Sequence, residues 1–125
     1  MASLEQLSSE KYALLTTFRR DGRAVPTPLW VMPDGAGLAF WTVTDSGKVK
    51  RIRNSGRVTV AACDMRGKPT GEPIEGTARI GDAADMERVG RALSRKYGLL
   101  GRATLIGSRL RRGRAGTVII LVDPV

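Results

Sequence analysis

The amino-acid sequence predicts a mainly β fold, an antiparallel barrel of six strands that is closed or partly closed. Segments that alternate apolar and β-branched residues recur along the chain, and tight-turn signals at 20–22 and 33–35 separate the first three of them. Because hairpin turns join antiparallel strands directly, such strands need no crossover helices and can close into a barrel. The predicted strands are 12–18, 25–31, 38–43, 57–63, 74–80 and 117–122.

Three helices are predicted, one before the first strand, one after the third strand and one before the last strand. A short helix is expected ahead of the first strand. A short basic helix follows the third strand, with Asp45 or Ser46 placed to cap its first turn. A longer amphipathic helix begins after Asp82 and ends at Gly98, because apolar residues recur at helical spacing at positions 86, 89, 93 and 97. Pro26 and Pro28 interrupt the second strand, and proline there usually marks an edge or a bulge.

Length and composition limit the classes of protein that fit. A chain of 125 residues is sized for one domain, 1–125, with one core. The single cysteine, Cys63, and the absence of histidine leave few ligands for a metal and no usual base to activate a serine or cysteine nucleophile. No apolar run is long enough to span a bilayer and the first residues do not resemble a signal peptide, so we expect a cytoplasmic protein with no membrane partner.

A net charge of +9 predicts an anionic partner, although arginine-rich composition from a GC-rich genome would also produce it. The basic helix after the third strand is the place where such an anion would bind. Free N–H groups and a partial positive charge gather at a helix N-terminus, and Lys48 and Arg51, three residues apart, project from one side of the helix. A solvated basic face on a surface helix is the alternative. Cys63, among small apolar residues, is expected to be a packed core thiol.

Five segments of the sequence resemble, in order and spacing, the split β-barrel flavin and deazaflavin oxidoreductases related to pyridoxamine 5'-phosphate oxidase. They are KYALLTTF at 11–18, DG at 21–22, PTPLW at 26–30, FWT at 40–42 and SGKVKRI at 46–52. The most specific part is Ser-x-Lys-x-x-x-Ile after an aromatic-Thr strand end. The sequence is most similar to the branch that uses the deazaflavin coenzyme F420 and is typical of actinobacteria. This resemblance implies a six-stranded split β-barrel that acts as a homodimer.

The resemblance also implies where the cofactor binds. Lys48 would hold the cofactor phosphate, and the other expected contacts are Ser46, Gly47, Lys50 and Arg51 around it, Trp41 and Thr42 at the adjacent strand end, and Thr27, Pro28 and Trp30 beside the ring. Pyridoxamine phosphate oxidases carry a basic residue where this sequence has Gly47. That departure weakens the hold on a compact phosphate dianion and favours F420 over FMN. F420 continues from its phosphodiester into glutamates, and the run Arg109, Arg111, Arg112 and Arg114 offers a longer basic track for them.

These observations predict an oxidoreductase that transfers hydride between F420 and a small organic substrate, without identifying that substrate or a catalytic residue. Hydride transfer needs orientation and exclusion of water more than an acid or base, so the absence of histidine is no obstacle. The alternatives are an FMN-dependent oxidoreductase of the same fold and a non-catalytic barrel that binds a cofactor or nucleic acid. Nucleic acid is disfavoured because aromatic residues make up only 5% of the sequence.

Overall fold

The computed structural model of the protein describes residues 4–43, 47–112 and 117–125. Six strands in these residues close into an antiparallel barrel in the order β1-β2-β3-β6-β5-β4. This confirms the predicted fold class. The strands are β1 (Tyr12–Phe18), β2 (Ala24–Asp34), β3 (Gly37–Val43), β4 (Arg57–Ala62), β5 (Ile74–Ile80) and β6 (Thr117–Pro124).

The strand boundaries differ from the predicted ones mainly in β2, which runs three residues past its expected end. Pro33 pairs with Leu38 and Asp34 with Gly37, so the turn to β3 is reduced to two residues. Gly35 makes this possible because it adopts a positive φ of 61° at no steric cost. β4 ends one residue before its expected end, so that Cys63 lies outside the strand and forms an isolated bridge with Pro69.

The barrel is split between β2 and β3. The first half of β2 pairs with β1, and only its last four residues pair with β3, from Val31↔Phe40 to Asp34↔Gly37. Pro26 and Pro28 lie in the first half, opposite Thr16 and Leu14. Alternate residues of an antiparallel strand direct their N–H groups to the same edge. Because proline has no N–H, the edge of β2 that faces away from β1 lacks donors at positions 26 and 28. The predicted edge character of the prolines is thereby explained.

Two short helices cover the ends of the barrel. α1 (Leu4–Leu7) places Leu4 and Leu7 in the barrel core, next to the first residues of β5. α2 (Gly47–Asn54) contacts β1 and β5 at the opposite end and contributes Ile52 to the same core. Most of the core consists of inward-facing aliphatic residues from the six strands, with Phe40 the largest side chain among those fully buried.

A long helix, α3 (Ala83–Arg112), packs on the outer surface of β2, β3 and β6. It begins as predicted, since Asp82 accepts a hydrogen bond from the N–H of Asp85 and the Asp85 carboxylate accepts one from the N–H of Asp82. The expected stop at Gly98 is present as a break with φ 60° and ψ −132°, but the chain becomes helical again beyond it. Val89 and Leu93 join Met32, Ile119 and Leu121 in a second core outside the barrel.

Candidate functional site

The basic helix α2 is fixed to the barrel by two apolar side chains. Val49 and Ile52 are buried, and their three-residue spacing places them on the face that covers the barrel end. Lys48 precedes Val49 and Arg51 precedes Ile52, and both basic side chains are half-buried. Lys50 is exposed, two residues from Lys48 and therefore on a different side of the helix. Ser46, also expected to contact the phosphate, lies outside the described residues.

Arg51 is held by a buried hydroxyl at the end of β1. Its Nε donates a hydrogen bond to Oγ1 of Thr17 at 2.6 Å, and Thr17 is only 1% exposed. Thr17 follows Ala13 and Leu15 on the inward face of β1, where it is the one polar residue of that row. The pKa of Arg51 is lowered, chiefly because burial removes water from the guanidinium and also because Arg19 lies nearby.

The guanidinium of Arg51 occupies the space beside Gly47. A Cβ atom at position 47 would lie 2.7 Å from Nη1 of Arg51. Residues four apart on a helix lie one above the other, and long side chains lean toward the helix N-terminus. Arg51 therefore reaches back one turn, and the absence of a side chain at Gly47 leaves room for it.

Lys48 completes a group of three neighbouring cations, Arg19, Lys48 and Arg51, which we call the cationic cluster. Burial lowers the pKa of Lys48, and the charge of Arg51 lowers it further. None of the three forms an ion pair with a carboxylate in the described part of the chain, whose salt bridges involve other arginines. Positive charges that repel one another and lack a protein counterion attract an anion from solution.

The residues expected beside the ring lie along the two strands that separate at the split. Trp30 and Trp41 are the first residues beyond the last β2–β3 pair, Val31↔Phe40. Thr27 pairs with the core residue Leu15 and so belongs to the inner face of β2, whereas Pro28 and Trp30 belong to its outer face. Thr42 is buried, whereas Thr27 is half-buried, and Trp41 faces outward. The five residues thus lie on β2 and β3 beyond the last pair of these two strands, but not on one face of the sheet.

Both tryptophans already have protein neighbours on the outer face. Trp30 and Trp41 pack against the second core, under α3. The ring of Trp30 stacks on Tyr97, with centroids 4.4 Å apart and planes inclined by 10°. The hydroxyl of Tyr97 also donates to the carbonyl of Lys11 at 2.7 Å. One face of the Trp30 ring is therefore taken up by packing, and contact with a cofactor ring stays a prediction.

The family model described as pyridoxamine 5'-phosphate oxidase matches residues 2–124. The chain belongs to this family. None of the curated proteins matches the sequence significantly.

Solved structures share the fold of this family member at low sequence identity. A conserved hypothetical protein from Mycobacterium tuberculosis has a TM-score of 0.71 at 20% identity, over 94% of this chain and 75% of that one. A protein named F420 reductase has a TM-score of 0.63 at 23% identity, over 100% and 95%. A pyridoxamine 5'-phosphate oxidase-related, FMN-binding protein from Nostoc punctiforme has a TM-score of 0.61 at 19% identity, over 92% of this chain and 71% of that one.

The other candidate groups named from the sequence are Cys63 and the basic track at 109–114. Cys63 is buried, and its pKa is raised by burial and then by Asp64 and Glu10, so a thiolate is disfavoured as expected. The described residues contain no cluster of three or more potential metal ligands and no helix long and apolar enough to cross a membrane. Of the expected basic track, Arg109, Arg111 and Arg112 belong to the last turns of α3, and Arg114 lies outside the described residues.

Two residues of the site were not predicted from the sequence, Thr17 and Arg19. Thr17 could have been found from the pattern of β1, because it is a threonine in an inward-facing row whose other members, Ala13 and Leu15, are aliphatic. Nothing in the sequence indicates that its partner would be Arg51, 34 residues further along the chain.

Proposed function

We propose that the protein is an oxidoreductase that binds coenzyme F420 and transfers hydride between it and a small organic substrate. The observation that carries this proposal is the cationic cluster, which has no carboxylate partner among the described residues and lies at the barrel end where β2 and β3 have separated. A phosphate fits this cluster because Lys48 supplies an ammonium group and Arg51 a planar guanidinium with several donors. Family membership and the similarity to a protein named F420 reductase support the same conclusion.

Each part of the proposed site has a separate task. The cationic cluster binds the phosphodiester and fixes the register of the cofactor along the split. Thr27 and Thr42, on the inner faces of β2 and β3 beyond their last pair, would lie beside the ring, with Pro28 on the outer face. When bound, the reduced deazaflavin supplies the hydride, and a proton from solvent completes the reduction of the substrate. Orientation and exclusion of water are the contributions that such a reaction needs from the protein.

FMN is the second candidate cofactor. The family and the FMN-binding neighbour favour it, and Arg51 beside Lys48 gives the site two cations for a terminal phosphate dianion. The experiment is a titration of the purified protein with F420 and with FMN, read by quenching of tryptophan emission. Binding of F420 in preference to FMN supports the proposal, and a yellow protein that retains FMN through purification favours the alternative. Failure to bind either one, together with salt-dependent binding of random oligonucleotides, would instead favour a nucleic-acid-binding barrel.

We further propose that the protein is a homodimer. Membership of the family supports this proposal. A second copy placed against β2 and β3 beyond their last pair, Val31↔Phe40, would cover the split and close it into a groove. Sedimentation velocity at micromolar concentration is expected to give a species of twice the chain mass. A monomer at all concentrations would remove the shared groove and leave the cofactor open to solvent.

A further inference from the structure

We propose that Thr17 is a positioning residue for the cofactor phosphate, because its buried hydroxyl holds the guanidinium of Arg51, and that Gly47 is needed because this guanidinium occupies its side-chain space. This inference rests on the proposed function and identifies the residues that set the strength of the phosphate contact. The sequence led us to expect a weakened site, since position 47 lacks a basic residue. The structure brings a basic group to that position from one helical turn further along.

Arg51 has no partner among the described residues that requires its charge. Its described hydrogen bond goes to a neutral hydroxyl, and its charged neighbours are Lys48 and Arg19. A guanidinium used to stabilise the fold is normally paired with a carboxylate or with several carbonyls. Arg51 is instead half-buried among cations, an arrangement that an added anion would relieve.

The Thr17 hydroxyl fixes the orientation of the Arg51 guanidinium. The Thr17 hydroxyl accepts from Nε of Arg51, so that atom is engaged by the protein, while Nη1 lies beside Gly47 at the start of α2. The outer N–H groups of the guanidinium stay available for two oxygens of one phosphate. The first backbone N–H groups of α2 lie at the same end of the helix. Thr17 is thus a positioning residue that acts on the ligand only through Arg51.

A side chain at position 47 would disturb the proposed phosphate site and not the fold of the barrel. The atom that a Cβ at position 47 would meet is the far end of a flexible side chain, so an alanine can be accommodated if the guanidinium moves. Gly47→Ala is therefore expected to leave the barrel intact and displace Arg51 from its place beside the helix start. This separates a role in the site from a role in folding.

The test compares ligands that differ only in the phosphate-bearing tail. Dissociation constants are measured for F420 and for its phosphate-free deazaflavin fragment, and for FMN and riboflavin, with wild type, Thr17→Val, Thr17→Ser and Gly47→Ala. Thr17→Val keeps the branched shape and removes the acceptor. We expect Thr17→Val and Gly47→Ala to lower the preference for the phosphate-bearing ligand by roughly five- to tenfold, a fraction of what a charge-assisted hydrogen bond contributes. Affinity for the phosphate-free ligand is expected to stay within about twofold, a change of less than the smallest hydrogen-bond contribution.

Thr17→Ser retains the hydroxyl and is expected to keep the preference for the phosphate-bearing ligand. Thr59→Val, on the outer face of β4, is the matched control and should leave the affinity for both ligands of each pair unchanged. Equal weakening of both members of a pair by Thr17→Val would overturn the inference, because it would show a general effect on the barrel. Unchanged preference in both Thr17→Val and Gly47→Ala would overturn it as well. If wild type binds none of the four ligands, the proposed function itself fails, which is a different result from either of these.

Discussion

The indole ring of Trp30 lies nearly parallel to the phenol ring of Tyr97, with their centroids 4.4 Å apart. Trp30 belongs to the part of β2 next to the split, and Tyr97 belongs to α3. Beyond the stack, the Tyr97 hydroxyl accepts from the N–H of Val31 at 3.2 Å and donates to the carbonyl of Lys11. The side chain thus continues the β1–β2 ladder one step past its last pair, Tyr12↔Trp30. α3 is attached at the point where β2 begins to leave β1 for β3.

Removal of this hydroxyl is expected to destabilise the fold while leaving the stack in place. Tyr97→Phe leaves the Val31 N–H and the Lys11 carbonyl without their partner, at a cost of about 1–3 kcal/mol. Tyr97→Leu also removes the aromatic contact and is expected to cost about 1 kcal/mol more. Urea unfolding measures both, and only Tyr97→Leu should change the tryptophan emission of the folded protein. Tyr12→Phe, which removes a hydroxyl with no described hydrogen bond, is the control; an equal cost there would contradict this account.

Lys96, the neighbour of Tyr97, predicts a dependence of stability on pH. Its ammonium donates to the carbonyls of Ser8, Glu10 and Val31, yet burial lowers its pKa to about 8, with Glu10 acting in the opposite direction. Between pH 8 and the ordinary lysine pKa of 10.5, the unfolded chain binds more protons than the folded one. The free energy of unfolding therefore rises with pH in this interval.

The effect of Lys96 is expected to be on the order of 1 kcal/mol, because the side chain is half exposed and solvent screens it. Urea unfolding between pH 7.5 and about 9.5 is the measurement, since above that range Tyr97 acts in the opposite sense. Its pKa is raised to about 12 by burial, so the folded state retains a proton that the unfolded state loses. In Lys96→Met the rise between pH 8 and 9.5 should disappear. A rise of the same size in the variant would assign it to other groups.

Closure of the barrel depends on the close approach of β3 to β6 at Gly37. A Cβ atom at this position would overlap the backbone carbonyl of Val122, which cannot move without breaking the pairing of the two strands. Gly37→Ala is expected to destabilise the protein by on the order of 3 kcal/mol, as overpacking against backbone does. Gly71→Ala is the matched control, because its Cβ would lie at an ordinary 3.7 Å from that of Ala62. Thermal unfolding of the two variants should differ clearly.

The elements with local signals could be predicted from the sequence. β1 and β5 have the predicted boundaries because alternation and flanking polar residues define them, and the cap at Asp82 follows from short-range chemistry. The break at Gly98 was predicted as an end, but whether a chain resumes a helix after a glycine depends on what it packs against. That information is not local, and the prediction of an end was wrong to that extent.

The site was predictable in its position along the chain and not in its contacts. The basic character of α2 follows from residues 48–53, whereas the bond between Arg51 and Thr17 joins residues that only the closed barrel brings together. Alternation in β2 and β3 could have shown that Trp41 and Thr42 face opposite ways, as do Thr27 and Pro28. The stack of Trp30 on Tyr97 depends on the path of α3 across the barrel, which no pattern within either segment indicates.

The most direct prediction for the proposed cofactor site concerns Lys48. If its ammonium contacts the cofactor phosphate, Lys48→Ala removes a charge-assisted hydrogen bond of about 1.5–3 kcal/mol, and affinity for F420 should fall roughly ten- to a hundredfold. The free energy of unfolding should change by less than about 0.5 kcal/mol. Burial and Arg51 both disfavour the charge of Lys48 in the folded protein, and no described carboxylate pairs with it, so the fold gains little from its presence.

Lys68→Ala is the charge control for this variant, because the Lys68 side chain is exposed in the loop after β4, where the backbone N–H and not the ammonium bonds to Asp64. Titration calorimetry with F420 and urea unfolding are carried out on both variants. A loss of affinity shared equally by the two would mean that the net charge attracts the ligand and that α2 has no special role, since long-range attraction depends on total charge. A large loss of stability in Lys48→Ala would show that the basic helix is structural. Loss of affinity in Lys48→Ala alone, with both proteins equally stable, locates the phosphate at the start of α2.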